Sequence, residues 1–237
     1  MIKHDISLDG LSVCLGIPAG RDIPALTVKS IAGTYNLCHS LGILCDLAII
    51  ANNAVIQWAR DEVINSFLAT KATRLFLIDS DIIWEPEDFV RMLALSQKRD
   101  VVCATYPAKL DPTTFYILRD TEEALVSDEY GLFEILGAGL GFCVMTREVV
   151  EKLHEKAPKL YDEISGRDVA EIFRVGRTTE GKRQGEDMGF FEDIRNLGFT
   201  IYLDPAVNLG HVGQKIYNGS IMDSLNNLQP ATPLEES

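Results

Sequence analysis

The sequence predicts an α/β protein: a single domain with a mostly parallel, Rossmann-like central sheet flanked by helices. Two observations carry this. Short apolar runs alternate with segments whose apolar residues recur at helical spacing over residues 12–105, the pattern of successive βαβ units. One run, residues 75–78 (LFLI), is apolar at every position, which suits a strand covered on both faces. The 237 residues suffice for one large domain with a real core.

Residues 12–17 (SVCLGI) form the first expected strand, ended by Pro18 and Gly20. Val28, Ile31, Tyr35 and Cys38 then recur at helical spacing, with Pro24 near the start and Gly42 at the end. Residues 45–50 (CDLAII) form a second buried strand, halted by Asn52 and Asn53, which favour turns. A helix follows over 57–69, turning Trp58, Ile64, Phe67 and Leu68 inward. The central strand at 75–78 stops abruptly at Asp79 and Asp81. Pro86 suits a first helical position, with Glu87 and Asp88 in the first turn and Lys98 and Arg99 at the far end. Phe89, Met92, Leu93 and Ser96 mark that helix's inner face, and residues 101–105 make a fourth strand.

Beyond this the pattern weakens. Residues 107–131 read as a long irregular segment, of a length often reserved for function. Residues 136–145 (LGAGLGFCVM) are glycine-rich and then apolar: a turn entering a strand, or a close approach of backbone to ligand. A helix over 146–157 is capped by Thr146 and halted by Pro158. Residues 159–184 are polar and hold Arg174, Arg177, Lys182 and Arg183; they read either as a solvated loop or as a segment closing over a phosphate. In GEDMGFFEDIRNLGF, Phe190, Phe191, Ile194 and Leu197 share a helical face, and Gly198 is placed for the C-terminal cap. Glu186 and Asp187 fall at that helix's start, where the dipole favours carboxylates whether they cap or react. A short strand covers 200–203, and the tail over 214–237 is expected to fray.

Aspartate is a poor strand residue and costly to bury alone, so the pair at 79 and 81 asks for a reason. Open α/β sheets bind ligands beyond the carboxyl ends of their strands. Two hard oxygen donors there suit Mg²⁺ or Mn²⁺ completed by a phosphate. The spacing alone equally fits a turn in which the two aspartates cap the next segment. A formal net charge of −13 argues against nucleic-acid binding. A phosphorylated ligand would need a metal or a local basic cluster. The loop after the first strand, GIPAGRDIP, lacks the dinucleotide fingerprint, and no P-loop occurs. Five scattered cysteines without a CxxC predict free thiols in a reducing, cytoplasmic setting. MIKHDISLDG has no apolar core of a signal peptide, and no apolar run approaches the ~20 residues of a membrane span.

Taken in order, the strand ending in DSD (79–81), the WEP after it, GAGLGF (137–142), GED (185–187) and His211 in HVG resemble the GT-A-type glycosyltransferases. The likeness is greatest to the small family-2-like enzymes of bacteria and large viruses, and spans residues 12 to about 213. It implies a GT-A domain over 1–213, in which 12–105 binds a UDP- or GDP-sugar and 106–213 an acceptor hydroxyl on a glycan, glycoprotein or small molecule. It implies Mn²⁺ or Mg²⁺ held by Asp81 and His211, with Asp79 on the ribose or sugar, or on the metal through water. Pro18, Ala19, Asn52, Asn53, Arg60 and Ser80 would surround the nucleotide, and Gly139, Gly141 and Trp84 the sugars. Asp187, with Glu186 beside it, matches the general base of inverting members. The absence of a QxxRW motif favours transfer of a single sugar over polymer synthesis. Two other readings stay open. One is an aspartyl-nucleophile phosphatase or phosphotransferase using Asp79 and Asp81, against which stand Ile83 and the motif's place on the third strand. The other is a non-catalytic module that binds sugar nucleotides.

Overall fold

The computed structural model describes residues 6–120, 125–163, 166–177 and 181–226. In chain order the first half holds β1 (Ser12–Pro18), α1 (Ala25–Ser40), β2 (Leu44–Ile50), α2 (Ile56–Ala69), β3 (Arg74–Ile78), β4 (Ile82–Ile83), α3 (Pro86–Leu95) and β5 (Val101–Cys103). Next come β6 (Ile117–Leu118), β7 (Phe133–Ile135), β8 (Gly137–Ala138), β9 (Phe142–Thr146) and α4 (Arg147–Lys156). Two hairpins follow, β10 (Lys159–Asp162) with β11 (Arg167–Ala170) and β12 (Gly176–Arg177) with β13 (Arg183–Gln184). The chain then runs through α5 (Glu186–Asn196), β14 (Ile201–Leu203), β15 (Gly210–Val212), β16 (Ile216–Asn218) and α6 (Ile221–Asn226).

Seven strands form the central sheet in the order β2-β1-β3-β9-β5-β14-β7. β2, β1 and β3 pair in parallel, as do β5 and β14. β9 is antiparallel to both β3 and β5, and β7 is antiparallel to β14. The expected α/β, mostly parallel fold is therefore the fold observed. β9 wedges between β3 and β5, a placement that its apolar run does not announce, because a strand buried on both faces carries no mark of direction.

The sheet divides the core in two. Along β3, Leu75 and Leu77 join a cluster with Val63, Ile64 and Phe67 of α2 and Phe190, Phe191 and Ile194 of α5. Phe76 and Ile78 point the other way, into a cluster with Ile31 of α1 and Phe89 and Met92 of α3. This alternation explains why every residue of the run is apolar. Gly16 in β1 has no side chain because a Cβ there would collide with Val63, so the glycine lets α2 lie close on the sheet.

Some details differ from expectation. β2 is an edge strand paired only with β1, and leaves Leu44, Leu47 and Ile49 exposed. Trp58 is 58% exposed. It stands nine residues before Phe67, a rotation of about 180° at ~100° per residue, so the two cannot share a face. The segment beyond residue 213 begins with structure: β16 pairs with β15, and Met222 and Leu225 of α6 pack on the core. All five cysteines are free, and four of them are buried. Among the described residues no helix is long and apolar enough to cross a membrane.

Asp61, next to the inner stripe of α2, is 6% exposed. Its Oδ1 accepts the Ile172 and Phe173 N–H groups at 3.0 and 3.2 Å and so pins that segment behind α2. Burial pushes its carboxyl up to about 7, against the pull of those N–H groups. The neutral form is thus favoured by folding. Its stabilisation is complete below the unfolded value of 3.8 and is lost as pH rises through about 7. Urea unfolding of wild type and Asp61→Asn checks this. The stability difference between them should change by up to ~1.4 kcal/mol per pH unit between about pH 4 and 7 and level off above it. A difference independent of pH would refute the assignment.

Candidate functional site

Strands β1, β3 and β5 end at one edge of the sheet, and antiparallel β9 begins there. Asp79 follows β3 directly, Tyr106 lies just beyond β5, and Gly139–Gly141 lead into β9. His211 reaches this edge through a small second sheet. β15 pairs antiparallel with β4, His211 opposite Ile82, and the Val212 N–H donates to the Asp81 carbonyl at 2.8 Å. Residues 130 positions apart in sequence are brought side by side in this way.

Arg60 is the centre of the site. With Val63, Ile64 and Phe67 it lies on the inner stripe of α2, and it is 3% exposed. Its Nη2 donates to Asp79 Oδ1 at 3.0 Å. Its Nη1 donates to Asp187 Oδ1 at 2.5 Å and to Glu186 Oε1 at 3.5 Å. Burial alone would lower the pKa of the guanidinium; the charges of Asp79 and Asp187 reverse this and raise it. One cation faces three carboxylates, so the cluster keeps an excess of negative charge. Burial, with the charges of Asp79 and Glu186, raises the Asp187 carboxyl above its ordinary value, against the pull of Arg60. The second Asp187 oxygen accepts the Leu140 N–H at 3.3 Å.

Tyr106 closes the other side of Asp79. Its hydroxyl donates to Asp79 Oδ2 at 3.4 Å and accepts the Gly141 N–H at 3.2 Å. Burial, with the charges of Asp79 and Asp187, lifts its phenol well above the ordinary value, so it stays a donor. A Cβ on Gly141 would stand 2.7 Å from Asp79 Oδ2, and one on Gly139 2.7 Å from the Tyr106 hydroxyl. Gly139 and Gly141 are glycines because nothing larger fits against this pair.

Asp81 makes a separate centre. His211 Nε2 is 3.4 Å from Asp81 Oδ1, and the Lys109 ammonium pairs with Oδ2. Burial pushes the Asp81 carboxyl up, but His211, when its ring carries both hydrogens, and Lys109 outweigh it and hold it below the usual range. His211 Nδ1 lies 2.9 Å from the Pro107 carbonyl. A carbonyl only accepts, so Nδ1 carries the hydrogen, and in the neutral ring Nε2 offers its lone pair to the Asp81 carboxylate. Two acceptors face each other there, an arrangement that a positive charge between them satisfies. Carbonyl-fixed imidazole beside a carboxylate is also the usual setting of a metal-binding histidine. The residues therefore fit Mn²⁺ or Mg²⁺, ions that take most of their shell from phosphate and water. Asp79, expected on the ribose or sugar or on the metal through water, is drawn to Arg60 and Tyr106 and does not stand with Asp81 and His211. Among the described residues no group of three or more His, Cys, Asp or Glu side chains is placed to hold one ion.

A cleft of about 590 Å³ joins the two centres, lined by Tyr106, Lys109, Gly139, Glu186, Asp187 and His211, with Tyr116, Leu118 and Met188 as an apolar wall. Other expected residues lie around or away from it. Pro18 and Ala19 are buried where β1 ends beside β3. Asn52 adopts φ 61°, and its N–H donates to the Gly20 carbonyl at 3.1 Å. Asn53 Oδ1 accepts the Val55 N–H at 3.1 Å at the entry to α2. Ser80 is half-buried between the two aspartates. Trp84 is not in the cleft: it is 2% exposed, packs near Phe142, and donates its indole N–H to Thr34 at 2.8 Å. Its apolar bulk is used to join α1 to the sheet rather than to meet a sugar. Arg174, in the stretch read either as a solvated loop or as a segment closing over a phosphate, pairs with Asp193 at 3.1 Å. Tyr106 and Lys109 were not singled out by sequence reasoning. The signal existed, since YPAK immediately follows a strand's carboxyl end, as DSD does.

No protein-family model matches the chain, and no curated protein matches it. Solved structures do. The crystal structure of A197 from STIV is 20% identical, with a TM-score of 0.56, over 89% of this chain and 94% of that one. GalNAc-T7 with UDP, GalNAc and Mn²⁺ is 11% identical, with a TM-score of 0.52, over 86% of this chain and 44% of that one. At such identities the likeness is one of fold, and fold alone does not assign chemistry.

Replacing Arg60 leaves Asp79, Glu186 and Asp187 without their shared cation. Arg60→Met is expected to lose on the order of 3 kcal/mol at neutral pH, toward the lower end because the carboxylates are about a quarter exposed. The loss should shrink when the pH is lowered to about 4, because the Asp187 carboxyl, which burial holds above its ordinary value, takes up a proton as pH falls. Chemical unfolding at both pH values checks it; an equal loss at each would show that packing, not charge, is what Arg60 supplies.

Proposed function

We propose that this chain is a metal-dependent transferase that takes a single sugar from a nucleotide-diphosphate sugar and passes it, with inversion, to an acceptor hydroxyl. The observation that carries this reading is the meeting of Asp81 and His211 at 3.4 Å, with His211 lining the same cleft as Asp187. One end of the site suits a cation on a diphosphate, and the other suits a base.

Asp81 and His211 would hold the Mn²⁺ or Mg²⁺. When bound, such an ion supplies Lewis-acid stabilisation of the charge that develops on the departing diphosphate oxygens. Pro18 ends β1, and Ala19, Asn52, Asn53 and Ser80 follow the ends of β1, β2 and β3; these residues are assigned to the nucleotide and ribose. Arg60 fixes Asp79 and Asp187 relative to each other, so the donor side and the acceptor side keep one geometry. Asp187 takes the proton from the attacking hydroxyl. Its raised proton affinity suits that task, and such a base contributes ~10²–10⁴-fold. Glu186 adds negative charge that holds the proton once transferred. The sugar gains oxocarbenium character as the bond breaks, and the adjoining carboxylates are a favourable surrounding for it. Residues 12–105 are thus assigned to the donor and 106–213 to the acceptor, whose apolar parts would meet Tyr116, Leu118 and Met188.

The phosphatase reading requires an Asp79 oxygen free to attack phosphorus. Asp187 lines the cleft and Asp79 does not; the Asp79 oxygens face Arg60 at 3.0 Å and Tyr106 at 3.4 Å instead, which favours the transferase.

Nucleotide release from UDP- and GDP-sugars, over a panel of hydroxyl acceptors, tests the proposal. Turnover should need Mn²⁺ or Mg²⁺, stop with a chelator, and vanish in Asp81→Ala. Asp187→Asn should lower kcat by at least ~10²-fold while donor still binds. Metal-independent turnover that survives Asp81→Ala would overturn the assignment. Donor binding without turnover on any acceptor would return the chain to the class of binding modules.

A further inference from the structure

Lys109 has a position that the proposed reaction does not yet use. Its ammonium pairs with Asp81 Oδ2, on the side of that carboxylate away from His211. Its side chain is 39% exposed and lines the cleft. Among the described residues lining that cleft it is the one lysine or arginine. Arg60 is already committed to three carboxylates. The backbone beneath Lys109 is held in place. The Pro107 carbonyl accepts from His211 at 2.9 Å, and the Ala108 N–H donates to the Thr114 carbonyl at 2.8 Å. The lysine stem runs over Gly213, where an added Cβ would stand 3.0 Å from its Cδ. Only the flexible four-carbon stem is left to move, and lysine is a point charge whose donors turn freely.

A divalent cation and an ammonium on one carboxylate repel each other. A diphosphate offers that ammonium a stronger partner than a carboxylate already shared with a metal. We infer that Lys109 is a diphosphate-binding residue whose resting partner is Asp81. It neutralises Asp81 until a cation takes that carboxylate, and then turns to the diphosphate of a nucleotide. Cation and nucleotide therefore bind interdependently: each is weak alone, and the second to arrive relieves a repulsion left by the first. This inference rests on the metal-dependent reading above.

Binding measurements test it without turnover. Mn²⁺ affinity is read by electron paramagnetic resonance without nucleotide. UDP and GDP affinities are read by calorimetry in saturating Mn²⁺. Lys109→Met should bind Mn²⁺ alone roughly fivefold more tightly, because the competing ammonium is gone, and should bind the nucleoside diphosphate at least roughly fivefold more weakly. Lys109→Arg keeps the charge and should stay near wild type in both. If neither affinity moves in Lys109→Met, or only one does, Lys109 is a bystander and the inference fails while the proposed function stands. If wild type binds neither Mn²⁺ nor UDP nor GDP, both fail.

Discussion

A single buried guanidinium holds the site together. Arg60 sits in an otherwise apolar stripe of α2, and such a charge is tolerable only if carboxylates meet it. They come from two distant places, the end of β3 and the first turn of α5. The arginine, 3% exposed, could not be buried without them, and it draws two partly exposed carboxylates to one point. The pairing therefore fixes α2, β3 and α5 relative to one another at the edge of the sheet where the strands end. Asp61, one residue along, fastens the segment at Ile172 and Phe173 to α2. Stability and chemistry are tied to the same few atoms.

The second centre is built by backbone pairing instead. Asp81 and His211 are brought together by the ladder between β4 and β15, not by a charge partner in the core. The residues between Tyr106 and Lys109 stitch the two centres. Tyr106 reaches Asp79 and Gly141, Pro107 fixes the tautomer of His211, and Lys109 reaches Asp81. A short run after one strand thus touches both aspartates of DSD, each for a different purpose: Asp79 is held within the protein, and Asp81 faces a mobile charge.

Much of the fold was legible because burial writes itself into composition. The all-apolar LFLI run is a strand between two helical layers, and Pro86, Gly198 and the Phe190–Phe191 pair mark helices where the spacing put them. What misled was locally ambiguous. CDLAII reads as buried, yet an edge strand differs from a central one only in what lies beside it. Trp58 looks like core because tryptophan usually is. Trp84 looks like a binding residue because it follows DSD, yet its indole N–H is satisfied by Thr34 inside the protein. The polar stretch over 159–184 hides two hairpins, whose pairing leaves no alternation in so short a segment.

By itself the sequence determined which residues had to be inside, where strands stopped, and that Asp79 and Asp81 stood at one such stop, since each follows from periodicity over a few neighbours; His211 was marked only by the resemblance. The sequence could not determine which of them would meet. That Asp79 turns to Arg60 rather than to Asp81, that β9 separates β3 from β5, and that Tyr106 and Lys109 belong to the site were decided only by tertiary structure. The physical reason is that these are contacts between segments many residues apart, selected by how whole layers pack and by which buried charges find partners, and neither is encoded within any one stretch of chain.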